Sequence, residues 1–114
     1  MQQIDVVGSG GVRLSATIHE GPRASAPGIL LHHGLASSRR IWDLMLPRLA
    51  RTFVVVTYDA RGHGRSSKPS SGYGFDRVVA DAQAVIRATS LRRPIVVGHS
   101  WGASVALELA ARFP

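Results

Sequence analysis

Apolar and polar positions alternate with period two at the start of the chain and give way to unbroken apolar runs further on. Gln2 to Val7 predicts a strand and Gly8-Ser9-Gly10-Gly11 a turn. Val12, Leu14, Ala16 and Ile18, interleaved with Arg13, Ser15, Thr17 and His19, predict a second, half-buried strand. The two are expected to pair as an antiparallel hairpin. Gly28-Ile29-Leu30-Leu31-His32, Thr52 to Tyr58 with Phe53-Val54-Val55-Val56 inside it, and Ile95-Val96-Val97 are continuous instead. Such runs suit strands covered on both faces in a parallel sheet.

Between these runs the period shifts to that of a helix. Ser37 or Ser38 can cap a helix in which Ile41, Trp42, Met45, Leu46 and Leu49 recur at helical spacing, with Pro47 expected to kink its last turn. Trp42, placed in that pattern, is expected in the core. Asp76 to Thr89 predicts a helix with Val78, Val79, Ala82, Val85 and Ile86 on one face, and Ala103 to Phe113 predicts another. Strand and helix thus alternate after a leading hairpin, which argues for an α/β fold with a mostly parallel sheet. Neither a repeat nor a low-complexity tract interrupts residues 1–114, which read as one domain.

Composition narrows this picture without redirecting it. The 45% hydrophobic content is that of a globular chain. No basic segment followed by a long apolar core opens the sequence, and no apolar run approaches membrane-spanning length, so a soluble, cytoplasmic protein without a membrane partner is expected. Cysteine is absent, which excludes disulfides and thiol chemistry. The net charge of +7 raises the question of nucleic acid, but the basic residues, all Arg apart from Lys68, are scattered singly except for Arg39-Arg40 and Arg92-Arg93. Without a basic run or an interleaved aromatic patch, solvated surface charge is the better reading and no nucleic-acid partner is expected. Val6-Val7-Gly8-Ser9-Gly10-Gly11 resembles the opening of a dinucleotide-binding turn, yet Arg13 stands where the third small residue belongs and period-two alternation follows where a helix is needed. No cofactor is expected, and no cluster has metal-ligand spacing.

The chemistry concentrates in Ile95-Val96-Val97-Gly98-His99-Ser100-Trp101-Gly102-Ala103-Ser104. An apolar run enters a Gly-x-Ser-x-Gly turn and a helical pattern leaves it, the arrangement of a nucleophile elbow. A strand that reverses sharply into a helix strains its apex and brings the helix start against the strand end. Gly98 and Gly102 remove the side chains that would collide there. Ser100 is then held above the sheet edge, and the Trp101 amide lies among the helix-start donors that have no intrahelical partner, where an oxyanion could bind.

Three stretches in order, His33-Gly34-Leu35, Asp59-x-Arg61-Gly62-x-Gly64-x-Ser66 and Gly98-His99-Ser100-Trp101-Gly102, together resemble the N-terminal half of α/β-hydrolase-fold proteins of the serine-nucleophile branch. The resemblance implies the strand order 1-2-4-3-5 and a sheet that ends here with the fifth strand as an edge. It implies Ser100 as a nucleophile attacking an ester, thioester or amide-type carbonyl to form an acyl-enzyme, with the backbone amides of Leu35 and Trp101 as oxyanion hole. Gly34, Gly98 and Gly102 are the glycines that this geometry requires. Ser rather than Asp at the apex argues against the haloalkane dehalogenases and epoxide hydrolases of the same fold.

The family's triad continues from Ser to an acid and then a His on later loops. Here no His follows Ser100 and the only acid after it is Glu108, inside the expected helix. The expectation is therefore an N-terminal half-domain without lid, acid loop or His loop, inactive alone and completed by a C-terminal half or a complementing chain. The alternative is a non-catalytic remnant or a binding module of the same fold. Among the earlier histidines, His33 could reach the pocket, although shaping its loop by hydrogen bonding is the favoured role. His99 is expected to point away from Ser100 into the sheet, and His63 to be structural or solvent-facing. Asp59 and Asp81 read as loop and helix-surface anchors, and Trp101 as a possible wall of an acyl pocket.

Overall fold

The computed structural model describes residues 1–114 and resolves them into a five-stranded sheet in the order β1-β2-β4-β3-β5. The strands are β1 (Gln2–Val7), β2 (Arg13–His19), β3 (Gly28–His32), β4 (Val54–Tyr58) and β5 (Ile95–Gly98). β1 and β2 form the expected antiparallel hairpin, from Gln2 opposite Ile18 to Val7 opposite Arg13, and β2 runs antiparallel to β4. The other three are parallel, β3 pairing with β4 on one side and β5 on the other. β5 has no neighbour beyond it, which makes it an edge.

Both faces of the sheet are covered, as the continuous apolar runs require. On one face Leu14, Ala16, Leu30, Val56 and Tyr58 meet Val78, Val79, Ala82 and Val85 of helix α2 (Phe75–Ala88) and Val105 and Leu109 of α3 (Trp101–Arg112). On the other, Ile29, Leu31 and Val55 pack with Trp42, Leu46 and Leu49. No helix is long and apolar enough to cross a membrane.

Two expectations are corrected. The single kinked helix over residues 41–49 is instead a 3-10 turn, Arg39–Trp42, and a one-turn helix α1, Leu46–Leu49, separated at Asp43-Leu44-Met45. Ser38 caps the first piece, its hydroxyl accepting from the Arg40 amide at 3.3 Å. Pro47 opens the second, where its missing N–H costs nothing, rather than kinking its end. Strand β2, in turn, is buried on both faces. The Arg39 guanidinium lies over its polar side and donates to Thr17 Oγ1 at 3.0 Å and Ser15 Oγ at 2.9 Å.

Along β5 the outer side is open. Between the end of α2, β5 and α3 lies an apolar groove of about 1180 Å³, lined by Ile86, Leu91, Val96, Ala106, Leu107 and Phe113 among others.

Candidate active site

The sheet brings the ends of β3, β4 and β5 together, and the three sequence motifs follow those ends. β5 finishes at Gly98, α3 begins at Trp101, and Ser100 between them has φ 57° and ψ −118°. A residue with a Cβ rarely holds such a backbone, and it persists only where its surroundings impose it. They do so here through close approach: a Cβ on Gly98 would overlap the backbone of Gly102, and one on Gly102 would overlap the carbonyls of His32 and His33. The α3 start is thereby pressed against the ends of β5 and β3. The His99 amide donates to the His32 carbonyl at 3.0 Å and continues the β3–β5 ladder into the turn.

The loop after β3 leans on the same turn. A Cβ on Gly34 would stand 3.2 Å from the His99 carbonyl oxygen and 3.5 Å from Ser100 Cβ. Neither the Leu35 amide nor the Trp101 amide donates to any group in the chain. The first lies in an exposed loop and the second at a helix start, where unpaired donors are expected. Ser100 itself is exposed. An exposed hydroxyl flanked by a loop and a helix start that carry free N–H groups can receive a carbonyl compound and the charge that develops on its oxygen.

The histidines underneath are committed elsewhere. His33 is fully buried; the Ala60 amide donates to its Nε2 at 3.0 Å, so its proton is on Nδ1 and goes to the Gly34 carbonyl at 2.7 Å. With both nitrogens engaged, His33 shapes the loop and offers no base to a pocket. His32 Nδ1 donates to the His33 carbonyl at 2.8 Å, while its Nε2 is buried without a partner. Burial lowers the pKa of both rings, that of His32 from 6.5 to about 4. Trp101 is edge-on to His32 and stacked on His63, whose ring centroid is 5.9 Å away. His99 is exposed next to Gly34 rather than enclosed in the sheet, because β5 has no outer neighbour.

The loop after β4 is tied down by polar groups whose partners sequence reasoning missed. Asp59 is buried and accepts from the amides of Arg39 at 2.9 Å and Arg65 at 3.0 Å. Ser66 Oγ donates to the Asp59 carbonyl at 2.6 Å and accepts from the Ser15 amide at 2.9 Å. Arg61 is buried against Asp81, which is therefore a core residue and not a helix-surface anchor. Arg61 also donates to the Gly72 and Ser9 carbonyls. Its hydrogen bond with Asp81 raises the guanidinium pKa further above its ordinary value. The signal was present only as an acid among the apolar positions of α2. No three His, Asp or Glu side chains come together in a way that could hold a metal ion.

A strand–turn–helix with a strained serine, following a His-Gly loop and an Arg-Gly loop at adjacent strand ends, agrees with the family that matches residues 27–114, described as the alpha/beta hydrolase fold. The chain belongs to the α/β hydrolase fold family. It is 34% identical over 102 residues to a 2-(acetamidomethylene)succinate hydrolase of Mesorhizobium japonicum, covering 90% of this chain and 36% of the relative. It is 40% identical over 93 residues to a non-heme chloroperoxidase of Streptomyces lividans, covering 81% of this chain and 33% of that one. The crystal structure of a hydrolase from Pseudomonas aeruginosa superposes with a TM-score of 0.90 at 34% identity, over 99% of this chain and 42% of that protein. The chain thus spans between 33% and 42% of the length of these α/β hydrolase fold relatives.

Proposed function

We propose that the protein is a serine hydrolase in which Ser100 Oγ attacks the carbonyl carbon of an ester, thioester or amide-type small molecule. The reading is carried by one observation: Ser100 is held at φ 57° between β5 and α3, exposed, with the free amides of Trp101 and Leu35 on the elements beside it. Attack forms the C–O bond and places negative charge on the carbonyl oxygen, which those two amides receive. Collapse expels the leaving group with a proton, and water then releases the acid from the acyl-enzyme. Hydrolase names among the relatives agree with this class of reaction.

The base that takes the Ser100 proton is not among residues 1–114 on this proposal. No histidine follows Ser100, and His33 has no free nitrogen. The base and its acid partner come from the length that the relatives have and residues 1–114 do not cover, as further chain or as a complementing one. A cytoplasmic location belongs to the same proposal.

The test is labelling with a fluorophosphonate and turnover of p-nitrophenyl esters by the protein as the cell makes it. Labelling at Ser100, and a fall in turnover on the order of 1000-fold or more in Ser100→Ala, are expected. A folded protein whose Ser100 takes no label would favour the non-catalytic binding module of the same fold.

A further inference from the structure

One side chain from elsewhere in the chain holds the loop that carries Leu35. The Ala36 amide, next along the backbone, donates to His63 Nε2 at 2.9 Å. A ring nitrogen that accepts carries no proton, so the His63 proton is on Nδ1 and goes to the Arg61 carbonyl at 2.9 Å. His63 is therefore a neutral imidazole whose two nitrogens are both satisfied by backbone. Its ring lies over Trp101 at an interplanar angle of 24°, with the His33 ring 5.0 Å away. Arg61, which supplies the carbonyl, is itself anchored by Asp81 of α2.

The held segment needs such a tie. Ala36 has φ 61°, a left-handed conformation that a residue with a Cβ keeps only where its neighbours impose it. The one hydrogen bond made by its amide is the one to His63. Leu35 lies between Gly34, which touches the Ser100 turn, and Ala36, so the direction of its amide depends on both attachments.

We propose that His63 is the positioning residue for the Leu35 amide, holding the 34–37 loop through the acceptor that its Nε2 offers to the Ala36 N–H. The titratable and charged groups on the elements around it are His32 and His33 at the end of β3, His99 in the Ser100 turn, and Asp59, Arg61 and Arg65 on its own loop. Asp59 is paired with Arg39 and Arg61 with Asp81, and His32 and His33 are kept neutral by burial. None of them touches the Ala36 amide, which leaves His63 as the side chain that makes the tie.

This rests on the reading of Ser100 and Leu35 given above, so the experiment has one readout that needs no catalysis. Amide hydrogen exchange of Ala36 is followed in the protein as the cell makes it, corrected for intrinsic exchange, alongside p-nitrophenyl ester kinetics. The variants are His63→Phe, which can stack on Trp101 but offers no acceptor, and His63→Gln, which offers an acceptor. Exchange at Ala36 is expected to rise about tenfold or more in His63→Phe and to stay at the wild-type level in His63→Gln. In ester turnover His63→Phe is expected to lower kcat on the order of tenfold with little change in KM, and His63→Gln to keep most of the wild-type kcat.

Equal protection of Ala36 in wild type and His63→Phe would overturn the proposal. Should His63→Phe fail to fold, His63→Leu, which also offers no acceptor, is compared with His63→Gln in the same way. Absent ester turnover with Ala36 exchange still following His63 would remove the hydrolase reading and leave the tie standing.

Discussion

Arg61 and Asp81 meet at two points, Nε to Oδ2 at 2.6 Å and Nη2 to Oδ1 at 2.9 Å, with both side chains 1% exposed. The pair joins the loop after β4 to the middle of α2, and Asp81 Oδ1 also accepts from the Ser9 amide at 2.8 Å. A buried pair of this kind adds little over an apolar replacement, whereas removing one partner strands a charge. Asp81→Asn is expected to lose about 3–5 kcal/mol of stability in urea unfolding. The double change Arg61→Met, Asp81→Leu is expected to cost less than Asp81→Asn alone. A single substitution that costs under about 1 kcal/mol would contradict the pairing as the loop's anchor.

That ion pair marks the boundary of what the residues revealed in advance. Strand order, the leading hairpin and the edge position of β5 were legible because apolar runs, their spacing and three loop motifs encode local geometry and a familiar topology. The pairing of Arg61 with Asp81 was not, because it spans 20 positions and depends on how α2 settles on the sheet. The break at Asp43-Leu44-Met45 was hidden for another reason. Helical spacing over residues 41–49 is satisfied equally by two short turns that bury Trp42, pack a half-buried Leu46 against its cluster and leave Ile41 and Met45 outside. At the candidate site Ser100, Gly98 and Gly102 were readable from the turn they must form. The commitment of both His33 nitrogens depended on where the Ala60 amide falls in three dimensions.

Ser100 stores strain. At φ 57° and ψ −118° its backbone suits glycine, so Ser100→Gly is expected to raise stability by about 1–2 kcal/mol in thermal unfolding while abolishing fluorophosphonate labelling. Ser100→Ala keeps the Cβ and is expected to abolish labelling with little gain. Equal stability of the glycine and alanine variants would mean that the turn is not strained.

Acid should destabilise the fold through His32. Its pKa is lowered by burial from 6.5 to about 4, so below pH 6.5 the unfolded chain takes up a proton that the folded chain refuses. Stability is therefore full above pH 6.5 and falls as pH drops toward 4, by ~1.4 kcal/mol per pH unit and roughly 3 kcal/mol in all. His33, lowered in the same direction by burial, adds to the loss. His32→Phe, which keeps an aromatic edge against Tyr58 and Trp101, is expected to flatten the profile in urea titrations between pH 7.5 and 4.5. An unchanged slope would remove His32 as the cause.

Helix α2 starts without a side-chain cap. Gly74 holds the cap position at φ −58° and ψ 148°, and a Cβ there would meet nothing within 4 Å. Gly74→Ser can accept from the amides of the first turn at no steric cost and should gain about 0.5 kcal/mol, read as a small rise in Tm. A fall in Tm would show that the helix start is held by something other than its own cap.

The open edge predicts how residues 1–114 behave when produced alone. β5 presents its outer N–H and C=O groups to solvent beside an apolar groove, with Ile95 50% exposed and Leu107 75% exposed. Unpaired edges and apolar patches of this kind drive chains together, and a charge on the edge strand is the usual protection against it. Sedimentation velocity is expected to show association that grows with concentration. Ile95→Lys with Leu107→Lys should shift it toward monomer, since both side chains are exposed and neither belongs to the buried core. A monodisperse wild-type monomer at high concentration would mean that the β5 edge and groove do not draw chains together, and a complementing segment that covers them should then bind without competing against self-association.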